Sequence, residues 1–362
     1  MYKKEVNFIR ELYSTKDFIA LHAPSFDERE ISFVVESIKS TYVSSVGKFV
    51  DEFEEKIASF CGVKKAVACV NGTSALHIAL ILAGVGQGDK VVTQPLTFIA
   101  TANAIKYCNA TPVFVDVDRD TLGMSPESLE EYLKKNKNAK AVLPMHTFGH
   151  PCRIDLLRDI CQKYNVTLIE DCAESLGSYY KNIHTGNFGD IGVLSFNGNK
   201  IVTTGGGGML LFNDENLAAR AKHLTTQAKK PHRWEFIHDE IGYNYRMPNI
   251  NAALGLAQME KLPQFLKDKR ELAEKYKMFW GEHFFDEPKE AYSNFWLNSI
   301  FFADRTERDA FLQYTNDNDV MTRPAWTLMN DLPMFKDCEK TDLSNATWIV
   351  DRLVNIPSGV MP

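Results

Sequence analysis

The chain has 362 residues, of which 44% are hydrophobic and 24% charged, and its formal net charge is −6. This length allows two domains with an ample core, and the acidic balance argues against nucleic-acid partners. No apolar run is long enough to span a membrane, and the first residues are too charged for a signal peptide. The seven cysteines are scattered without a C-x-x-C pair, which is typical of reduced thiols in the cytosol. We therefore expect a cytoplasmic protein with no membrane or nucleic-acid partner.

The middle of the chain alternates short apolar runs with helical patterns. The predicted strands are Ala66–Val70, Lys90–Gln94, Thr111–Asp116, Ala141–Met145 and Val166–Glu170. The predicted helices are Ser74–Leu82, Ile99–Tyr107, Ser125–Lys134 and Arg153–Tyr164. Such alternation predicts βαβ units and a mostly parallel sheet, that is, an α/β fold. The first ~45 residues do not fit this pattern, and we expect them to pack near a smaller domain or to border a ligand crevice.

Two further predicted strands, Ile191–Phe196 and Gly208–Phe212, are separated by a loop that ends in four glycines. The glycine run suggests a tight reversal, so the second strand is expected to be antiparallel. From about Asn249 a long helical pattern runs towards Phe279, with Pro263 as the expected kink.

Short strands are predicted at Asn298–Phe302 and Val320–Thr322, beyond the long helix. We therefore predict an N-terminal segment over residues 1–45, a large domain over 46–248 and a small C-terminal domain over 249–362.

Lys200 is the most informative residue, because it follows Ser195-Phe196-Asn197-Gly198-Asn199 and lies downstream of a strand that ends at Asp171. A lysine amine can form a Schiff base with the aldehyde of pyridoxal phosphate (PLP). A carboxylate at a strand end can keep the pyridine nitrogen of PLP protonated. A lone lysine is usually a solvated surface charge, but this pairing predicts a PLP site.

Several neighbouring motifs agree with such a site, although each has a simpler interpretation. The turn Asn71-Gly72-Thr73-Ser74 opens a helix, where it can bind a phosphate or only cap the helix. Ser195 supplies a second hydroxyl for the same phosphate. Phe98 follows a strand end, where its ring can stack on a ligand or belong to the core.

Other motifs carry less information. Gly84-Val85-Gly86-Gln87-Gly88 does not have the spacing of a dinucleotide site and fits a helix end. His146 and His150 have no evident third ligand, so no metal is expected. The loop His184–Asp190 can contact substrate hydroxyls or be a simple turn. The basic cluster Lys229–Arg233 suits a diphosphate, or is a solvated surface.

Taken together, these motifs resemble the DegT/DnrJ/EryC1/StrS family of PLP-dependent sugar aminotransferases, which have fold type I. The resemblance runs from about Phe26 to Arg323. It is carried by NGTSAL (71–76), TFIATANAI (97–105), VFVDVD (113–118), EDCAESLG (170–177), GDIGVLSFNGNK (189–200), TTGGGGM (203–209) and GYNYRMPN (242–249).

The resemblance implies a role for each matching residue. Lys200 is the expected Schiff-base lysine and Asp171 the partner of the pyridine nitrogen. The other expected cofactor contacts are Gly72, Thr73, Ser74 and Ser195 at the phosphate, Phe98 and Ala173 on the two ring faces, and Glu174 near the phenolic oxygen. Glutamine is common in the family at the position of Glu174. Asn244 is expected to reach the cofactor phosphate of a neighbouring subunit, which implies a homodimer with shared active sites.

The implied reaction transfers an amino group from L-glutamate to C4 of a nucleotide-linked 4-keto-6-deoxy sugar for bacterial surface glycans. TTGGGGM, TTQAKKPH (225–232) and GYNYRMP favour the branch that acts on UDP-4-keto-6-deoxy-N-acetylglucosamine. The expected substrate-binding residues are His184, Asn187, Lys229, Arg246 and Arg323. Amination at C3, or an inactive PLP-binding regulator, is the alternative; a histidine-bearing dehydratase branch is disfavoured by Lys200.

Overall fold

The structure, a computed structural model, describes residues 2–361. Its α-helices are α1 (Lys3–Leu12), α2 (Glu28–Lys39), α3 (Lys48–Cys61), α4 (Gly72–Leu82), α5 (Ile99–Tyr107), α6 (Pro126–Lys135), α7 (Ile154–Tyr164), α8 (Glu215–Thr225), α9 (Asn249–Trp280), α10 (Arg305–Asp317) and α11 (Ser344–Val350). Its strands are β1 (Lys65–Cys69), β2 (Lys90–Thr93), β3 (Thr111–Phe114), β4 (Ala139–Leu143), β5 (Thr167–Asp171), β6 (Tyr179–Tyr180), β7 (Ile183–His184), β8 (Ile191–Ser195), β9 (Gly208–Phe212), β10 (Lys229–Lys230), β11 (Ile237–His238), β12 (Ala291–Tyr292), β13 (Asn298–Phe301), β14 (Arg323–Pro324) and β15 (Leu353–Ile356).

The central sheet has seven strands in the order β1-β9-β8-β5-β4-β2-β3. The pairs β2–β3, β2–β4, β4–β5 and β5–β8 are parallel, whereas β9 pairs antiparallel with both β1 and β8. This confirms the predicted α/β fold and the reversal after the glycine run. The carboxyl ends of β1, β5 and β8 therefore meet at one edge of the sheet, where a ligand crevice is expected.

Local capping explains why the predicted helix boundaries are accurate to one or two residues. The Ser125 hydroxyl accepts the N–H of Ser128 at 3.3 Å, and Pro126 occupies the first helical position of α6. Asn165 ends α7 in the left-handed conformation with φ 52°. The helix α5 has the bounds that the sequence predicts.

The 32-residue helix α9 joins the two parts of the chain and accommodates Pro263 within it. Its first half packs with α3 against the central sheet. Its second half packs with α1 and the small sheet β13-β15-β14, where Ile9, Tyr276 and Phe311 share one apolar cluster. The predicted strand at Val320–Thr322 is displaced, since Arg323–Pro324 forms β14 and Val320 only bridges Ile19. The domain boundaries at residues 45 and 248 stay predictions.

Among the described residues, no helix combines the length and apolar character needed to cross a membrane.

Candidate active site

A cavity of about 320 Å³ lies at the carboxyl edge of the central sheet. It is lined by Asn71, Gly72, Thr73, Leu76, Phe98, Ala100, Thr101, Met145, Asp171, Ala173, Glu174, Ser195, Asn197, Asn199, Lys200, Gly207, Trp296 and Trp326. The residues come from segments that are far apart in the sequence, and the sheet topology brings them together. The cavity contains eight of the ten predicted cofactor-binding residues, namely Gly72, Thr73, Phe98, Asp171, Ala173, Glu174, Ser195 and Lys200.

Asp171 ends β5, and its carboxylate is buried at the floor of the cavity. Its Oδ2 accepts the hydroxyl of Thr101 at 2.7 Å, and its Oδ1 accepts the N–H of Ala173 at 3.1 Å. Burial raises the pKa of Asp171, while these two hydrogen bonds oppose the rise. A buried carboxylate fixed in this way is a suitable partner for a cationic ring nitrogen.

Lys200 points into the same cavity between a carboxylate and an indole ring. Its Nζ lies 3.3 Å from Glu174 Oε1 and 4.1 Å from the centre of the Trp296 ring. The indole N–H of Trp296 donates to the carbonyl of Asn199 at 2.8 Å, which ties this ring to the loop that carries the lysine. An ionic contact and a cation–π contact thus hold the Lys200 side chain in the cavity.

Glu174 is buried beside Lys200, and its second oxygen accepts the N–H of Phe148 at 2.9 Å. Burial raises the pKa of Glu174 to about 7, although Lys200 and the Phe148 hydrogen bond oppose the rise. This carboxyl group therefore changes its charge near neutral pH, unlike an ordinary glutamate.

The first turn of α4 forms the end of the cavity that suits a phosphate. Asn71 caps the helix through its Oδ1, which accepts the N–H of Ser74 at 2.8 Å. The N–H groups of Gly72 and Thr73 precede the first intrahelical hydrogen bond and stay available to an anion. A Cβ on Gly72 would lie 2.9 Å from Ser195 Cβ, so only glycine lets β8 approach the helix this closely.

Aromatic side chains form the walls of the cavity. Phe98 is half exposed, and its ring is 6.1 Å from that of Trp326, which packs in turn on Phe148 at 4.7 Å. Ala173 is small, so the floor beside Asp171 remains open. A flat aromatic ligand fits between such surfaces.

Behind the cavity, the buried pair Glu170 and His146 organises the polar loop that precedes β8. Glu170 accepts the His146 Nε2 contact at 3.1 Å and the backbone N–H groups of Gly186, Phe188 and Gly189. His146 and Glu170 also lie near Cys172, within the spacing of metal ligands. The oxygens of Glu170 are already occupied by these hydrogen bonds, so the group acts as an internal brace.

Two predicted substrate residues lie outside the cavity, because their side chains hold the chain itself. His184 is buried; its Nε2 accepts the N–H of Gly177 at 2.9 Å and its Nδ1 bonds the carbonyl of Thr185. Burial lowers the pKa of His184 to about 4, so it is a neutral structural histidine. Asn187 donates to the carbonyls of Cys61 and Gly62. Both side chains are thus engaged within their own chain, which argues against a substrate contact, and the substrate roles of His184 and Asn187 stay predictions.

The remaining predicted residues also lie away from the cavity lining. Ser74 lines a neighbouring hollow with His77. Lys229 is exposed in the hairpin β10–β11, and Arg323 is exposed and donates to Asn316 Oδ1 at 3.1 Å. Further outside the lining are Asn244, which is exposed and bridges Thr226, and Arg246, whose backbone bridges Cys69.

Sequence reasoning missed the residues that complete the cavity from the second half of the chain. Trp296 and Trp326 lie in irregular segments with no periodic pattern, so their sequence neighbourhood gives no signal. Thr101 could have been predicted from the sequence, because it lies one helical turn after Phe98 on the face that meets β5.

Residues 24–361 match the model of the DegT/DnrJ/EryC1/StrS aminotransferase family, and the chain belongs to that family. It is 40% identical over 322 residues to the GDP-perosamine synthase of Escherichia coli O157:H7, covering 88% of each chain. It is 39% identical over 325 residues to the putative pyridoxal phosphate-dependent aminotransferase EpsN of Bacillus subtilis, covering 88% of this chain and 84% of EpsN. The crystal structure of the aminotransferase TlmJ from Streptoalloteichus hindustanus superposes with a TM-score of 0.89 at 29% identity, covering 94% and 93%.

The protein is thus a PLP-dependent sugar aminotransferase with the type I fold. The cavity fits the cofactor on its own chemistry: it offers a lysine amine, a buried carboxylate, an anion-binding helix terminus and aromatic walls. When bound, PLP supplies an electron sink for the carbon that carries the amino group.

Proposed function

We propose that this enzyme transfers the amino group of L-glutamate to C4 of a nucleotide-linked 4-keto-6-deoxy sugar for glycan synthesis. The observation that carries the proposal is the placement of Lys200 Nζ and the Asp171 carboxylate in one cavity, beside the N-terminus of α4. The same arrangement argues against an inactive regulator, because such a protein would not need a buried reactive amine.

Within this proposal, each residue of the cavity has one task. Asp171 holds the proton on the ring nitrogen of the cofactor, and Gly72, Thr73 and Ser195 bind its phosphate. Lys200 Nζ carries a proton between the two carbon atoms on either side of the transferred nitrogen, acting as base and then as acid. Phe98 and Ala173 contact the two faces of the ring.

The nucleotide is the least constrained part of the substrate. The sequence motifs favour UDP, whereas a relative at 40% identity is a GDP-perosamine synthase. Identity over 88% of both chains is stronger support than short motifs, so we propose a GDP-linked sugar as the first candidate and a UDP-linked sugar as the second. Amination at C3 is the remaining alternative.

A second copy of the chain is proposed to complete the site, with Asn244 at the cofactor phosphate and Lys229, Arg246 and Arg323 at the substrate. Asn244, Lys229, Arg246 and Arg323 are outside the cavity of their own chain. The hairpin β10–β11 and its flanks expose large apolar side chains, including Trp234 at 70% and Phe236 at 81%. Exposed apolar groups of this size usually mark an interface, which supports a homodimer in which these residues serve the neighbouring cavity.

One experiment tests the substrate proposal. The purified enzyme is loaded with PLP, converted with isotope-labelled L-glutamate, and offered GDP-, UDP- and dTDP-linked 4-keto-6-deoxy sugars in competition. We expect the label at C4 of the product and the highest kcat/KM for the GDP-linked sugar. Preference for UDP restores the second candidate, and label at C3 contradicts the proposed position. Sedimentation at assay concentration should give a dimer or a multiple of one; an active monomer contradicts the shared site.

A further inference from the structure

The ion pair between Lys200 and Glu174 creates a chemical problem for the enzyme. The two side chains are only 11% and 1% exposed, and the Trp296 ring covers another side of Nζ. In this ion pair an ammonium group faces a carboxylate. An amine must be neutral, however, both to attack an aldehyde and to accept a proton.

The proton that leaves Lys200 therefore needs an acceptor inside the cavity. Glu174 Oε1 is in hydrogen-bond range of Nζ at 3.3 Å. Asp171 is the other nearby acid, but among the described residues the hydrogen bond of Nζ goes to Glu174, while Asp171 accepts Thr101 and Ala173. Glu174 is thus the acceptor that the geometry offers.

The surroundings of Glu174 make it an effective acceptor near neutral pH. Its other oxygen is anchored by the N–H of Phe148, so Oε1 stays directed at Lys200. Burial and then the charge of Asp171 raise the pKa of Glu174, to about 7, against the opposing effect of Lys200. His22 also faces Lys200, but burial holds its pKa well below the usual value, so it stays neutral.

We propose that Glu174 is the proton-holding partner of Lys200. The proton moves from Nζ to Oε1 along the 3.3 Å contact, and the electron pair of the broken N–H bond stays on nitrogen. A neutral amine and a neutral acid result, and the net charge of the pair is zero before and after the transfer. A glutamine at this position cannot accept the proton. The inference rests on the role of Lys200 in the proposed function.

The transfer has a distinctive pH dependence, because it exchanges no proton with the solvent. Once Glu174 has lost its own proton, above about pH 7, the fraction of neutral amine in the pair is independent of pH. It stays constant until the amine loses its proton to water. With glutamine at this position, the neutral fraction must instead rise about tenfold for each pH unit over the same range.

The experiment measures how fast the cofactor-free protein captures PLP, followed by visible absorbance in a stopped-flow instrument from about pH 6 to pH 9. The wild type is compared with Glu174→Gln, and the ratio of the two rates cancels the ionisation of PLP itself. We expect this ratio to fall about tenfold per pH unit above pH 7. A ratio that is constant with pH overturns the proposal, since a merely structural carboxylate would not change the slope.

Glu54→Gln is the matched control. Glu54 also accepts a lysine, Lys222 at 2.7 Å, and one backbone N–H, that of Ala68 at 2.8 Å, but it lies outside the cavity. Its rate ratio to the wild type should not vary with pH; variation parallel to that of Glu174→Gln would overturn the assignment to the pair.

Two further measurements keep the outcomes distinct. If Glu174→Gln does not fold, Nα-acetyl-lysine replaces it as an amine that has no carboxylate partner. The rate of PLP capture by the wild type is then divided by the rate of PLP reaction with Nα-acetyl-lysine. A ratio that is constant with pH overturns the proposal. Lys200→Ala should capture no PLP as a lysine adduct. If Lys200→Ala kept the visible absorbance band of the wild type, the proposed role of Lys200 itself would be wrong. If the band is lost but the ratio of the wild-type and Glu174→Gln capture rates is constant with pH, only the role of Glu174 is wrong.

Discussion

The cavity floor and the β10–β11 hairpin are opposite in construction. Around Asp171 and Lys200 the polar atoms are buried and hydrogen-bonded to named partners. The hairpin carries Lys229, Trp234 and Phe236 on its surface, and both of its strands are exposed. Most of the predicted cofactor contacts therefore lie within one chain, whereas the predicted substrate residues Lys229, Arg246 and Arg323 lie outside its cavity.

This difference separates two kinds of residue in experiments. Changes on the floor should affect cofactor chemistry with every substrate, because every substrate meets the same cofactor contacts. Changes on the hairpin should affect only the binding of the nucleotide sugar, in proportion to its charge.

Lys200→Ala is expected to have the largest effect. Without the amine there is neither a covalent anchor for PLP nor a base for proton movement, so turnover should fall below detection. The visible absorbance of the purified protein and amine transfer from L-glutamate measure the two losses separately. Residual transaminase activity above the background of free PLP would contradict the role.

Asp171→Asn should have the next largest effect. An ionic partner shifts a pKa by roughly 1–3 units, so its loss should weaken the electron sink and lower kcat by about ten- to a thousandfold. The amide keeps the volume and can still accept Thr101 or Ala173, so the melting temperature should change little. A kcat near that of the wild type would show that Asp171 does not hold the ring proton.

Lys229→Ala tests whether the exposed β10–β11 hairpin contacts the nucleotide sugar. Charge-assisted hydrogen bonds to phosphate are strong, so KM for the nucleotide sugar should rise about tenfold at low salt, roughly 1.4 kcal/mol. The rate of the glutamate half-reaction should not change. Lys163→Ala is the control, since Lys163 pairs with Glu130 on another surface. Equal KM shifts in the two variants would mean that the hairpin does not reach the substrate.

Asn187→Ala is expected to have the smallest kinetic effect. The side chain bonds Cys61 and Gly62 and lies outside the cavity. Its removal should therefore cost about 1 kcal/mol of unfolding free energy and leave KM unchanged. Denaturant unfolding and steady-state kinetics measure these two quantities. A raised KM at unchanged stability would instead support the predicted role of Asn187 in substrate binding.

The parts of the molecule that follow local rules could be predicted from the sequence. The order of strands and helices, the reversal into β9 and the meeting of Asp171 with Lys200 depend on apolar periodicity, glycine placement and the direction of parallel strands. Each of these properties depends on residues that are contiguous in the sequence.

Contacts between distant segments could not be predicted in this way. Trp296 meets Lys200 across 96 positions only because α9 and the small sheet place it there. The polar sequence His-Thr-Gly-Asn predicts a substrate-binding role for His184. In the structure its ring packs against Phe60 and Tyr179. Composition alone does not distinguish a polar loop that braces the interior from one that faces a ligand.

The wall at Trp296 has a consequence for how the protein is made. The carbonyl of Trp296 accepts the buried Nζ of Lys269, which also donates to the carbonyl of Ser358 at 2.5 Å. The N–H of Ser358 bonds in turn to the carbonyl of Leu21. Synthesis proceeds from Leu21 towards Ser358, and large domains fold as they leave the ribosome. Lys200 and the strands of the central sheet therefore precede Ser358 in the order of synthesis, and the contacts that fix the Trp296 wall can form only after residue 358 has been made.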